Sequence, residues 1–172
     1  MKDNTNKVRI SLGTPTATPS GEFEILAITA GTGNGWVFSA DTLRESATLW
    51  DGVESFIDHH WFGHSVHDLA GICYQPEYDE NSQGIKLRLR PIGPGAPIFS
   101  ELGKAMLTKD AATPSVGFSA DVVFTANGKN VEKILKVFSV DLVIDPARGG
   151  EFIRQVYQNI RSNDKMPKLE DI

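Results

Sequence analysis

The chain has 172 residues, of which 40% are hydrophobic and 23% are charged, with a formal net charge of -5. This length accommodates one compact domain of ordinary globular composition. The acidic balance argues against a nucleic-acid binder, which would normally carry a basic stripe, and no run approaches the roughly 20 apolar residues of a membrane helix.

Cysteine usage and the N-terminal sequence bear on the compartment. Cys73 is the only cysteine, so an internal disulfide framework is excluded. The first residues lack the apolar core of a signal peptide. We therefore expect a protein of the cytoplasm, or of an assembly formed there, with neither a membrane nor a nucleic acid as partner.

Most periodic segments predict β-strands, because short apolar or alternating runs are bounded by turn residues. The first 20 residues are expected to be a flexible segment, residues 21–160 one domain, and residues 161–172 a polar tail. Asn127-Gly128 predicts a hairpin between the last two strands. The predicted strands are residues 23–30, 53–57, 69–74, 85–90, 115–124 and 131–144.

Three segments predict helices. Ser39 can cap a helix that continues to residue 49 and stops at Gly52. Residues 97–107 and 151–160 each repeat an apolar side chain at every fourth position. Since strands dominate without regular strand–helix alternation, we expect a mainly β fold with a few helices (α+β), in a closed or nearly closed sheet.

The glycine-rich stretch at residues 31–35 follows a predicted strand. It lacks the lysine of a P-loop, and its spacing differs from that of a dinucleotide-binding fingerprint. We interpret it as a flexible loop and expect no cofactor.

All four histidines lie between residues 59 and 67, directly after a predicted strand. Imidazole titrates near working pH, so a histidine at a strand end is a natural general base. The alternative is a polar loop in which the histidines only cap turns.

A metal site is a competing interpretation of the same stretch. His60, His64 and His67 are spaced by four and three residues, and Asp58 and Asp68 flank them. The glycine at position 63 and the preceding Trp-Phe pair disfavour the continuous helix that would align these ligands. We therefore expect no metal.

Two further segments carry candidate site residues. Ser115 follows Pro114 at the start of a strand whose alternation places Gly117 and Ser119 on the same face, although it fits an ordinary strand start equally well. Asp141 lies among apolar residues of a predicted interior strand. A buried carboxylate there needs hydrogen-bond donors, and orienting a histidine is one such role. The alternative is an aspartate facing solvent, and Ser139, on the same face, fits both.

In order and spacing, three motifs resemble the prohead maturation proteases of tailed phages, relatives of the herpesvirus assemblins. The motifs are FIDHH at residues 56–60, SVGF at residues 115–118 and VDLVIDPA at residues 140–147. The resemblance implies an antiparallel β-barrel core ringed by helices. It also implies a serine endopeptidase that cleaves scaffold and capsid proteins, and itself, inside the procapsid in the host cytoplasm. We expect it to be a homo-oligomer.

The resemblance assigns roles to individual residues. His59 would be the general base, Ser115 the nucleophile and Asp141 the third member of the triad. Arg148 and Gly149 would support the oxyanion.

Two positions depart from the family pattern. Many relatives carry Glu where this chain has Ser139, and Asp where it has His60, so the choice between His59 and His60 as base stays open. Two other functions also stay open: an inactive protease-fold module for capsid assembly, and a histidine-rich metal-dependent hydrolase.

Overall fold

The computed structural model describes residues 15–60, 62–108, 112–146 and 148–161, with backbone alone for residues 15–20 and 157–161. Helices α1 and α2 span Ala40–Glu45 and Ala96–Leu107, and short 3₁₀ turns span Ala47–Trp50 and Val66–Asp68. The strands are β1 Pro15–Thr29, β2 Gly31–Gly33, β3 Trp36–Phe38, β4 Val53–Phe56, β5 Leu69–Asp79, β6 Gly84–Pro91, β7 Val116–Asn127, β8 Asn130–Ile144 and β9 Glu151–Arg161.

The strands form two sheets. One has five strands in the order β4-β5-β6-β1-β9, and the other has four in the order β2-β3-β8-β7. A parallel bridge between Ile57 and Leu142 joins the end of β4 to β8, so the two sheets meet there. The prediction of a mainly β fold with a few helices is confirmed. The sheets are not closed into one barrel in the described residues, so the closed barrel is not confirmed.

The helix predicted at residues 151–160 is wrong, because this segment is strand β9, paired with β1. Phe152 and Val156 are buried as the pattern required. A spacing of four residues is two repeats of a strand as well as about one turn of a helix, so the apolar positions alone could not separate the two.

Other expectations near the chain start were partly right. Ser39 caps α1 by accepting a hydrogen bond from the Thr42 N–H, but the helix gives way to a 3₁₀ turn before Gly52. The glycine-rich stretch is a hairpin rather than a flexible loop, because Asn34 and Gly35 form a tight turn with φ of 51° and 81° between β2 and β3.

The predicted segment boundaries also shift. Strand β1 begins at Pro15, inside the segment expected to be flexible, and residues 1–14 lie outside the described residues. Of the expected tail, Arg161 ends β9 and residues 162–172 lie outside the described residues. Neither helix of the described part has the length and hydropathy of a membrane span.

An aromatic cluster connects the two sheets to α2. Phe118 of β7 lies 4.9 Å from Phe152 of β9 and 5.8 Å from Phe99 of α2, between ring centroids. Phe118 and Phe99 are completely buried, and Phe23 of β1 contacts Phe152 in turn. The buried Phe118 side chain therefore anchors one face of strand β7 in the core. This packing also fixes the position of the opposite face, which carries Ser119.

Phe118→Ala should lower the free energy of unfolding by about 3–5 kcal/mol, because a cavity opens among three aromatic rings. Phe138→Ala, on β8 with 46% of the side chain exposed, is the matched control and should cost less than about 1 kcal/mol. Urea unfolding followed by circular dichroism measures both. Equal losses in the two variants would contradict this account of the core.

Candidate active site

The end of strand β4 turns its following residues back over β8. The Asp58 N–H donates to the Leu142 carbonyl at 2.9 Å, and the Ile57 N–H donates to the Asp68 carbonyl at 2.9 Å. Asp58 adopts a left-handed conformation with φ of 64°, which aspartate tolerates better than most residues. This turn directs the next residue, His59, towards β8.

Asp141 is the centre of a buried hydrogen-bond network. Its side chain is completely buried. The carboxylate Oδ2 lies 2.6 Å from His59 Nδ1 and accepts a hydrogen bond from the Ser139 hydroxyl at 2.9 Å, while Oδ1 accepts from the Phe56 N–H at 3.3 Å. The expectation that this aspartate is buried is confirmed. Ser139 is one of the hydrogen-bond donors that offset the cost of removing the carboxylate from water.

The contact with Asp141 defines the state of His59. A carboxylate only accepts hydrogen bonds, so Nδ1 of His59 carries the proton and Nε2 of the neutral ring is an acceptor. The hydrogen bond that His59 donates to Asp141 raises the pKa of His59 above its ordinary value, against the opposing effect of partial burial. His59 remains 42% exposed and so accessible to a substrate. This is the arrangement of a general base held by a carboxylate.

His60 contacts a different carboxylate, whereas His64 approaches the same one, with its Nε2 3.6 Å from Asp141 Oδ2. His60 Nε2 is 3.1 Å from Asp68 Oδ2, so the geometry favours His59 over His60 as the base. His64 stacks on Phe56 with ring centroids 3.9 Å apart, and its Nε2 lies 3.1 Å from the Ser139 hydroxyl.

The metal hypothesis can be compared with these positions. Residues 59–65, where described, do not form the helix that would have aligned the histidines. Within the described ranges, no group of three or more His, Cys, Asp or Glu side chains is placed to hold a metal ion.

The two serines of the β7 segment are placed differently. Ser119 is the register partner of Asp141, so the two side chains share a face of the sheet, the one that His59 covers. Ser115 is exposed and lies four residues earlier, in a bend directly before β7 begins at Val116. In the described part of the chain, no hydrogen bond joins either hydroxyl to His59. The structure therefore brings His59 and Asp141 into contact. Ser115 as the nucleophile stays a prediction.

Arg148 has a structural role in the described residues. Its guanidinium donates to the Ala30 carbonyl at 2.5 Å and the Thr29 hydroxyl at 2.9 Å, and its Nη1 to the Thr32 carbonyl at 3.4 Å. Gly31 leaves room for it, because a Cβ there would lie 2.6 Å from Nη2. These bonds occupy the guanidinium, so its role as an oxyanion donor stays a prediction.

Gly149 packs tightly against β1. It has a φ of 60°, and a Cβ there would lie 2.6 Å from the Thr29 hydroxyl. Its predicted part in supporting the oxyanion stays a prediction as well. Close packing against Thr29 and the left-handed backbone conformation both explain why this residue is a glycine.

Cys73 is not a competing nucleophile. Its side chain is completely buried in the core, and this burial raises the pKa of the thiol. The reactive thiolate is correspondingly disfavoured.

An open cleft of about 420 Å³ exposes the histidine pair to solvent. It is lined by His59 and His60 on one side and by Ala120 and Asp121 of β7 on the other, with Asn34 at one end. Asp121 adds a negative charge that favours protonation of His59. The cleft reaches β7 at Ala120 and Asp121, next to Ser119, which lines a neighbouring cavity.

No protein-family model, no curated protein and no solved structure matches the chain. The resemblance to prohead proteases therefore rests on the three sequence motifs. The chemistry proposed below rests on the geometry around His59, Asp141 and β7.

Proposed function

We propose that this protein is a serine endopeptidase of the prohead-protease type. It would cleave scaffold and capsid proteins, and itself, as a homo-oligomer inside the procapsid in the host cytoplasm. The observation that carries the chemistry is the 2.6 Å contact between His59 Nδ1 and the buried carboxylate of Asp141. A solvent-accessible imidazole held in this tautomer by a buried acid is what a serine hydrolase requires of its base.

The reaction follows from this pair. Nε2 of His59 accepts the proton of a serine hydroxyl as that oxygen attacks the substrate carbonyl, and Asp141 stabilises the imidazolium. His59 then returns the proton to the leaving amine as the peptide bond breaks. Water next releases the acyl group from the serine by the same base catalysis, which regenerates the enzyme.

The nucleophile is a serine of the β7 segment. The resemblance implies Ser115, whereas the register of the β7–β8 pair favours Ser119, which lies opposite Asp141. The alternation of the sequence predicts that both share the face of Gly117, whereas β7 itself begins at Val116. The proposal therefore requires one of these two hydroxyls, and the geometry favours Ser119.

The choice of substrate rests on the motifs at residues 56–60, 115–118 and 140–147. The closed barrel of the resemblance is also part of this proposal. It is supported by the bridge between Ile57 and Leu142, which joins the two sheets directly beside the site.

A second candidate function is an inactive protease-fold module that assists capsid assembly. The observation that favours it is that no serine hydroxyl is hydrogen-bonded to His59 in the described residues. Catalytic hydrogen bonds are often long before substrate binds, so this observation does not outweigh the His59–Asp141 pair.

A fluorophosphonate probe, which modifies activated serines, tests the proposal. We expect stoichiometric labelling of the wild type, insensitive to a chelator, and labelling at least about 100-fold slower in His59→Ala, which removes the base. His67→Ala is the matched control, because His67 is exposed and lies in the same loop. Absence of labelling in a folded wild type would favour the inactive module, and loss of cleavage with chelator would favour a metal-dependent hydrolase.

A further inference from the structure

A second cavity, of about 150 Å³, opens beside the histidine cleft. Its walls come mainly from β7, β3 and β1, and they are largely apolar. The side chains that form its apolar surface include Ile28, Trp36, Phe38, Phe118, Val122 and Phe124. The Phe124 ring is in edge-to-face contact with Trp36 at 5.0 Å and Phe38 at 5.6 Å, so the aromatic wall is held rigidly.

The size and lining of this cavity define what it can bind. An apolar cavity of about 150 Å³ in another protein accommodates benzene. An aromatic or large aliphatic side chain therefore fits, whereas a charged group would lose its hydration without finding a partner along most of the wall. Arg148 also lines the cavity, but its guanidinium is bound to Thr29, Ala30 and Thr32.

The cavity is continuous with the candidate active site. Asn34, Ala120 and Asp121 line both the apolar cavity and the cleft of His59. Successive residues of an extended chain point to opposite sides. A peptide lying across Ala120 and Asp121 could thus place one side chain in the cavity and present a neighbouring peptide bond to His59.

Strand β7 has a suitable edge for such a peptide. It is the last strand of the four-stranded sheet, with β8 on its other side. At its start, the Phe118 N–H donates to the Gly150 carbonyl, but no such backbone bond outside the β8 ladder is made by residues 119–127 within the described chain. A free edge of this kind binds extended peptides by adding a strand.

We propose that the apolar cavity is the specificity subsite of this enzyme. It takes an aromatic or large aliphatic side chain of a polypeptide that lies along the free edge of β7, within two residues of the bond cleaved. This inference rests on the proposed endopeptidase function, and it names the substrate feature that the site selects.

The test uses a substitution in the cavity wall that places a larger side chain in the cavity. Val122 is half-buried and lines the cavity, so Val122→Phe should occupy the space meant for the substrate side chain. Val123→Phe is the matched control, because Val123 is 41% exposed and is not among the residues lining the cavity. The wild type is first profiled on a peptide library, and the variants are then assayed on the best peptides. Fluorophosphonate labelling is measured in parallel, since that small probe does not need the cavity.

The expected profile has Phe, Tyr, Leu or Met enriched within two positions of the cleaved bond. Val122→Phe should lower kcat/KM for those peptides by about 10- to 100-fold, the effect of losing one buried apolar side chain, and leave labelling within about twofold. Val123→Phe should change neither. Cleavage without apolar enrichment, or equal activity in both variants, would overturn the subsite.

A binding measurement separates this inference from the proposed function. N-acetyl-phenylalanine amide should perturb the Trp36 fluorescence or indole NMR signal of the wild type and of Val123→Phe, but not of Val122→Phe. Phe124→Ala, which removes one apolar wall and keeps Trp36 as the reporter, serves if Val122→Phe fails to fold. If the protein is neither labelled nor active but still binds the amide in this pattern, the proposed protease function is wrong and the cavity remains a binding site. Absence of binding refutes the cavity itself.

Discussion

Asp141→Asn should reduce the turnover of a cleaved peptide by about 10⁴-fold while leaving the protein folded. The asparagine amide can donate to Nδ1 of His59, which the carboxylate cannot do. The proton of the neutral ring would then move to Nε2, where the lone pair is needed to accept the serine proton. The substitution nearly preserves volume, so the loss comes from the wrong tautomer and from the missing negative charge.

The matched control is Asp145→Asn. Asp145 is exposed near the end of the same strand and has a φ of 50°, a conformation that asparagine accepts well. It should retain activity within about twofold. Activity in Asp141→Asn close to that of the control would show that His59 does not depend on this carboxylate.

The pH dependence gives a second readout of the same pair. His59 acts as a base only when neutral, so activity should rise with pH through the raised pKa, above the ordinary value of about 6.5. Without the Asp141 charge the pKa falls, so residual activity in Asp141→Asn should rise at lower pH. For the same reason, the stability contributed by protonated His59 is largest below about pH 6.5 and is lost as pH rises through the raised pKa.

Replacing the nucleophile should have the largest effect of all. Ser119→Ala is expected to lower turnover by up to about 10⁶-fold, as removal of a catalytic serine does elsewhere. The reason is the β7–β8 register, which pairs Ser119 with Asp141, the carboxylate that His59 contacts. Ser115→Ala, at an exposed bend before β7 begins, should keep most of the activity. Peptide cleavage under identical conditions compares the two variants.

The reverse result has a definite meaning. If Ser115→Ala is inactive and Ser119→Ala is active, the role implied by the resemblance is right, and the active enzyme must bring the start of β7 closer to His59. If both variants keep wild-type activity, the serine mechanism is wrong.

Local patterns in the sequence predicted much of the fold. Ser39 as a helix cap and the hairpin near Gly128 depend on residues close in the chain, and both were confirmed. The segment of β9 was misassigned because Phe152 and Val156 satisfy both a helical and a strand period. Its pairing with β1, more than a hundred residues earlier, decides the conformation, and local sequence does not encode such a partner.

The candidate site was predictable in part. The burial of Asp141 follows from its apolar neighbours, and His59 from its place after a strand. The residue opposite Asp141 was not predictable, because the β7–β8 pairing has three irregularities in register between the hairpin and Ser119. Each irregularity shifts the partner along the strand, so spacing in the sequence does not give proximity. Likewise, the contact between His64 and Ser139 could not be predicted, because it depends on how the histidine loop folds over β8.

The most direct test of the central claim is to locate the fluorophosphonate adduct by tandem mass spectrometry in the wild type and in His59→Ala. We expect one adduct, on Ser119 of β7, that forms at least about 100-fold more slowly without His59. An adduct on Ser115 would support the same mechanism with Ser115 as the nucleophile. Absence of an adduct on either serine in the folded protein, or an adduct whose rate is unchanged by His59→Ala, would contradict the account.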